Sequence, residues 1–400
     1  MSDAYLYISR WPEFVGEPGI ALLRFRSQTG EMKLLENLEP QLQCNATCLD
    51  MEKNILYINN EVSQNPDCFK GGGGLVYAYQ IDPETGRLAQ ISRVPACCPN
   101  PAYLRRDPSG NYLICANHSG YFAVTKAVQR ADGTWGMEIV YDDATVNLYA
   151  LEPDGRIGDL VDVAKHTGQN PGFLLHAHPH SAVWAPSGAF FAVCDKGEDS
   201  VHMYRIDYAR RKLAPMGEPY RDEARSAPRY CLFHPTEPYF YNNHEGNTAL
   251  TAYRYNAAAE LEKIASVRCL PDGVELPKAR GFKPGEKPAQ QTMVMSADGA
   301  YIYDVLNGKG VDGVSVFRIA QDSGIPELIQ YLPVDGKWAR GAAISPDGGF
   351  LVVVCMDGDG AVLSYRIQSD GTLESTGFRL GIPGAAYVTF YPAVRNGGIA

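Results

Sequence analysis

Three histidines stand two residues apart in the run His176-Ala177-His178-Pro179-His180. In extended backbone that spacing puts all three imidazoles on one face, where they could share a divalent ion with a carboxylate such as Glu245. Neighbours two apart along a strand are splayed by about 6 to 7 Å, however, so three of them seldom reach one ion. Glu245 lies in Asn-Asn-His-Glu-Gly-Asn, a polar patch that interrupts an apolar strand pattern. Beside His244 and opposite an arginine it could serve as general base on water, or as general acid if burial raised its pKa. Arg229 and Arg340 each open a strand at matched places in a repeat. Their forked, permanently charged guanidinium groups suit a carboxylate or a developing oxyanion. His118, in Ala-Asn-His-Ser-Gly, is placed to line the same space, whereas His234, in Phe-His-Pro, reads as a packed strand end. The glycine run at 70–74 lacks the spacing and trailing Lys-Ser/Thr of a phosphate loop and reads as a turn.

The elements that must bring these distant positions together are repeats. Each copy is a strand, a turn of Pro-Asp-Gly type, an apolar strand, a polar loop and an alternating strand ending in Tyr-Arg-Ile or Phe-Arg-Ile. Copies occupy 44–82, 100–124, 177–207, 228–256, 290–319 and 339–367. A seventh is assembled from strands at 4–11, 19–27 and 385–392. A lone four-stranded sheet cannot bury both faces, so such units stack radially, and the last strand must pair with the first to close the ring. The expected fold is therefore all-β: a seven-bladed propeller of four-stranded antiparallel blades forming one domain over residues 1–400. An insertion at about 128–175, beside the histidine run, is expected to cover one mouth of the channel. The aromatic residues of the Tyr-Arg-Ile endings are expected in blade cores and their arginines in solvent.

The 400 residues include 40 Gly, 27 Pro and 24 Tyr, with 45% hydrophobic and 20% charged, which describes a folded, turn-rich chain. Net charge is −10 and no Lys/Arg-rich run occurs, which excludes nucleic acid as partner and weighs against a highly anionic substrate. No window approaches 18 apolar residues, and the first residues lack a basic stretch followed by an apolar one, so a cytoplasmic protein with no membrane partner is expected. The ten cysteines are expected as reduced thiols, several of them (Cys115, Cys194, Cys355) as small core hydrophobes. Cys44 and Cys48 form a C-x3-C pair, but no second pair lies at zinc-site spacing.

Five stretches together carry a resemblance: His-Pro-His-Ser with its strand and Pro-Ser-Gly turn (178–188), PRYCLFHP (228–235), Asn60-Glu61, Ala116-Asn117 and GKWARGAAISPDG (336–348). The chain resembles the seven-bladed β-propeller lactonase family, which contains bacterial 6-phosphogluconolactonases and fungal carboxy-cis,cis-muconate cyclases. The resemblance implies an active site at the central channel in which His180, Arg229 and Glu245 act, with Arg340 retained in the last blade and His180 in a metal-free acid/base role. His178, His244, His118 and Asn307 complete the expected site as substrate-binding residues. Departures from the family pattern are His244 where asparagine is usual, Asn307 near the place of an arginine with Lys309 beside it, and Cys355-Met356 in place of an Asn-Gln pair. What the resemblance implies is a lactonase acting on a small molecule without cofactor or metal; alternatives are a muconate-type cycloisomerase and a non-catalytic scaffold. The oligomeric state is left open.

Overall fold

Second strands of the repeats, such as Phe350–Cys355 and Ile55–Asn60, are buried at every position, while fourth strands such as Leu88–Pro95 are only partly covered. That gradient is what a radial stack produces: inner strands are packed on both faces and so read as continuous apolar runs, and outer strands meet water. The computed structural model describes residues 3–11, 19–65, 67–68, 70–120, 123–168, 176–270, 272–273, 288–308 and 310–392. Among them every regular element is a strand, and no helix is long and apolar enough to cross a membrane.

Seven antiparallel blades result. Blades 1 to 6 begin with the inner strands Cys44–Asp50, Pro101–Arg106, Pro179–Trp184, Pro228–Phe233, Ala289–Met295 and Ala339–Ile344. Blade 7 begins with Ala385–Pro392, which pairs antiparallel with Ala4–Arg10 from the other end of the chain. Each inner strand touches the next, and the seventh touches the first. The expected closure is thus observed.

Tyrosine and glycine explain how neighbouring blades hold together. Tyr7, Tyr57, Tyr241 and Tyr303 lie on second strands and donate their hydroxyls to the carbonyls of Gly86, Gly155, Gly324 and Gly371 at 2.7, 2.9, 3.0 and 3.0 Å. Each of those glycines turns the next blade's outer hairpin with a positive φ, a conformation that a side chain would strain. A buried bond of this kind contributes about 1 kcal/mol net. As expected, the arginines of the Tyr-Arg-Ile endings face solvent beside buried aromatics, as in Arg318 after Phe317.

The expected insertion at 128–175 requires correction. Ala144–Leu151 and Ile157–His166 are the ordinary third and fourth strands of blade 2, paired with Tyr112–Asn117 and with each other. The extra element is the hairpin Ala123–Gln129 and Trp135–Tyr141, which forms a separate two-stranded sheet. Turn spacing alone misplaced it, because the hairpin delays the blade's third strand without replacing it. The end of the expected segment, 169–175, lies outside the described residues.

Candidate active site

Every inner strand carries a β-bulge at the same place. The register with the second strand slips at Asn45-Ala46, Ala102, His180, Arg229, Gln291-Thr292, Arg340 and Ala386. A bulge adds an unpaired residue and re-aims its side chain, so the propeller holds seven aimed positions at one end of its channel. Asn59 and Asn243 cap two of these bulges: their side-chain oxygens accept the N–H of Ala46 at 2.7 Å and of Tyr230 at 2.9 Å. A second ring comes from the residue following each second strand. The N–H groups of Glu61, His118, Lys196 and Glu245 donate to the carbonyls of Gln43, Asn100, His178 and Ala227, which marks them as equivalent positions.

The two rings meet in one polar cluster. Arg229 Nε donates to His180 Nε2 at 3.0 Å and lies 3.5 Å from Glu245 Oε2. Arg229 Nη1 bonds the Gln291 side chain and donates to the Gln290 carbonyl at 3.3 Å. Lys196 Nζ reaches the same Glu245 oxygen at 3.1 Å. On the other side, Arg340 Nη2 donates to Asn45 Oδ1 at 3.3 Å, with its guanidinium carbon 4.3 Å above the Trp11 ring. Asn45 also bonds Glu61. Glu61 Oε2 and His180 Nδ1 are buried and find no hydrogen-bond partner among the described residues. Because His180 Nε2 accepts from arginine, its neutral ring carries the proton on Nδ1.

Three cations (Lys196, Arg229, Arg340) and two carboxylates (Glu61, Glu245) give the cluster a formal excess of one positive charge, the reverse of the chain's balance. Burial raises the Glu61 pKa to about 7, against the opposing pull of Arg340, its bond to Asn45, and Arg229 and Lys196. Burial, together with Arg229, His118 and Lys196, holds His180 well below the ordinary imidazole range. His118 is likewise held well down, and His178 to about 4, chiefly by burial and then by Lys196. His118, His178 and His180 pack edge to face, with ring centroids 5.6 Å apart for His118 and His178 and 4.7 Å for His118 and His180. His178 Nδ1 is bonded to the His176 carbonyl at 2.9 Å. Cations surround these imidazoles, which opposes a divalent ion among them.

Of the expected residues, His180, Arg229, Glu245 and Arg340 do converge, and His118 and His178 pack against them. His244 does not. Its side chain pairs with Asp222 Oδ2 at 3.0 Å and Asn242 Oδ1 at 2.7 Å, on the flank facing blade 3. The cause is strand alternation: the last residue of a second strand points sideways between blades, and only the residue after it turns to the channel. Asn307 holds the same lateral position in blade 5, buried, with Nδ2 unbonded among the described residues; Lys309 lies outside them. His234 is a packed strand end, as expected, its Nδ1 accepting the Glu237 N–H at 3.0 Å. Glu61, Lys196, Asn45 and Gln291 were missed as site residues. Aligning the repeats at the end of each second strand exposes Glu61 and Lys196 as counterparts of Glu245; nothing in the sequence announces the bulges.

The inserted hairpin reaches this end of the channel, where its last residue, Tyr141, stacks on His176 with ring centroids 4.4 Å apart. A separate cavity of about 580 Å³ lies toward the far ends of the inner strands, among Arg105, Trp184, Tyr387 and Phe390, and shares no lining residue with the polar cluster.

Arginine, carboxyl and imidazole groups are thus gathered at one channel mouth of a seven-bladed propeller. The model of the family described as "Lactonase, 7-bladed beta-propeller" matches residues 6–390, and the chain belongs to that family. It is 24% identical over 340 residues to a 6-phosphogluconolactonase of Bacillus subtilis (83% of this chain, 84% of that one). It is 22% identical over 377 residues to a 6-phosphogluconolactonase of Formosa agariphila (93% and 95%). Among solved structures, the periplasmic gluconolactonase PpgL of Pseudomonas aeruginosa superposes with a TM-score of 0.80 at 21% identity, covering 98% of this chain and 100% of that one.

Proposed function

We propose that the protein hydrolyses the lactone of a small sugar acid, and that its preferred substrate carries a negative charge. The observation that carries this reading is the convergence of Arg229 and Arg340 on one buried site with a carboxyl group, Glu61, poised near neutrality. The names of the two curated relatives support it. In the proposed reaction the lactone carbonyl lies against Arg229 or Arg340, whose N–H groups hold the oxyanion that forms when water attacks. A carboxyl with a pKa near 7 can take the proton from that water and return it to the ring oxygen as the C–O bond breaks. Glu61 is better suited to this than the two expected bases. Glu245 is tied to two cations, and the Nε2 lone pair of His180 is occupied by Arg229. Glu245 and His180 are then positioning residues for Arg229 and Lys196. The excess positive charge suits a carboxylate- or phosphate-bearing ring.

The test is acid release from sugar lactones with and without a phosphate group, by the purified protein and by Arg229→Ala. A kcat lowered about 10²- to 10³-fold in the variant supports the reading, with lower KM for the phosphorylated lactone. Loss of diene absorbance from muconates, with no acid release from lactones, would replace it with the cycloisomerase; no turnover of either class would leave a binding scaffold.

A further inference from the structure

A second histidine cluster lies away from the polar mouth, between blades 2 and 3. His166 ends the fourth strand of blade 2, Asp195 ends the second strand of blade 3, and Glu198 and His202 follow in its next turn and strand. One ligand atom from each of the four residues lies within 4.8 Å of the other three, and His166, Asp195 and Glu198 are buried, with His202 nearly so. The imidazoles stack with centroids 3.9 Å apart.

Each carboxylate accepts backbone N–H with one oxygen and turns the other to a histidine, and the Ser200 hydroxyl also donates to Glu198 Oε2 at 3.4 Å and lies 3.1 Å from His202 Nε2. Asp195 Oδ1 accepts the N–H groups of His178, Gly197 and Glu198 at 2.7, 2.9 and 3.1 Å, while Oδ2 lies 2.8 Å from His166 Nδ1. Glu198 Oε1 accepts the Gly168 N–H at 2.6 Å, while Oε2 lies 3.1 Å from His202 Nε2. Among the described residues no lysine or arginine side chain is ion-paired with either carboxylate; their ionic contacts are the two histidines. Buried anions need a partner charge.

We propose that His166, Asp195, Glu198 and His202 bind one zinc ion. Two imidazole nitrogens and two carboxylate oxygens are a donor set suited to zinc, whose bonds of about 2.0 to 2.2 Å place tetrahedral ligand atoms roughly 3.3 Å apart. The paired atoms at 2.8 and 3.1 Å lie near that spacing, and the remaining separations, up to 4.8 Å, must draw in by as much as about 1.5 Å to close on the ion. Calcium and magnesium prefer six or more oxygen ligands. Each imidazole coordinates as a neutral ring. His166 ligates through Nδ1, with its proton on Nε2, 3.0 Å from the Tyr204 hydroxyl that receives it, an outer contact of the kind that orients metal-bound histidines. The ion would tie blade 2 to blade 3. Through Asp195 Oδ1 it would also brace the backbone that carries His178 and His180.

The experiment is zinc titration of protein first freed of metal by dialysis against chelator, read by competition with a chromophoric chelator. Expected are one zinc per chain and, with cobalt(II) in its place, the strong visible absorption of tetrahedral coordination. His202→Ala and the near-isosteric Glu198→Gln should each weaken zinc binding at least about 100-fold, whereas His180→Ala should leave it unchanged. Zinc at 100 times its Kd should raise the wild-type Tm by about 4 °C. Failure of the wild type to take up zinc, or equal affinity in wild type and Glu198→Gln, would overturn the proposal. Zinc lost in His180→Ala but kept in His202→Ala would assign it to the channel histidines instead, which also overturns it. Should His202→Ala not fold, the near-isosteric Glu198→Gln carries the assignment, since it removes one ligand charge at almost unchanged volume.

Discussion

Asp195 and Lys196 are adjacent in sequence but serve two histidine clusters of opposite character. Lys196 points to the channel, where it acts on His118, His178 and His180 and is joined by Arg229 at His118 and His180. Asp195 points between blades, where it and Glu198 face His166 and His202. The first set is kept neutral by surrounding cations and burial; the second is supplied with anions and suits a cation. The same side chain therefore has its chemistry chosen by the charges opposite it. The strand makes the division, because consecutive residues leave it on different sides.

The sharpest way to break this contrast is to remove the titrating carboxyl from the cationic side. Glu61→Gln should lower kcat on the lactone substrate about 10²- to 10⁴-fold and erase an ionisation near pH 7 from the kcat/KM profile; persistence of that limb would exclude Glu61 as the proton carrier. Arg229→Ala should cost about 10²- to 10³-fold in kcat, as expected for loss of an oxyanion donor. His244→Ala tests the lateral assignment. It takes one partner from the buried Asp222 carboxylate, which keeps Lys263 at 3.9 Å and the Tyr253 hydroxyl, so urea unfolding should show a loss of about 1 to 3 kcal/mol, with KM unchanged; a raised KM at full stability would return His244 to the substrate site.

Stability against pH sharpens the contrast further. A carboxyl whose folded pKa is raised contributes stability below its unfolded pKa and loses it as pH rises through the folded value. Glu61, raised to about 7 by burial, should make the wild type lose roughly 2 to 3 kcal/mol more than Glu61→Gln between pH 5 and pH 8. Asp304, also raised to about 7 by burial, is present in both proteins and cancels. The smallest effect is Lys196→Met, which removes the second cause of the low His178 pKa. The His178 titration followed by NMR should move up from about 4 toward the ordinary imidazole value.

The ring of seven blades was legible because its signals are local: Pro-Asp-Gly turns, apolar second strands and Tyr-Arg-Ile endings recur wherever a blade is built. Arg229 and Arg340 were legible because each opens a strand at a matched place in the repeat, and His180 through the resemblance that its His-Pro-His-Ser segment carries. His244 was misassigned because a polar patch does not declare which side of a strand its members leave. The 128–175 segment was misread because a gap in turn spacing cannot distinguish a hairpin added before a blade's third strand from one that replaces its outer half. Glu61 and Lys196 were visible as letters, yet their importance rests on being equivalent to Glu245, which only matched strand ends reveal.

By itself, then, the sequence determined the blade count, the closure of the ring by its two ends, and the strand openings that hold Arg229 and Arg340, since period and turn chemistry act over a few residues. The tertiary structure decided which charges face one another. The chain's net charge of −10 weighed against an anionic ligand, but the channel mouth gathers three cations against two carboxylates. Interaction between charges depends on distance through space, and ring closure with a bulge in every inner strand sets those distances among residues far apart in the chain.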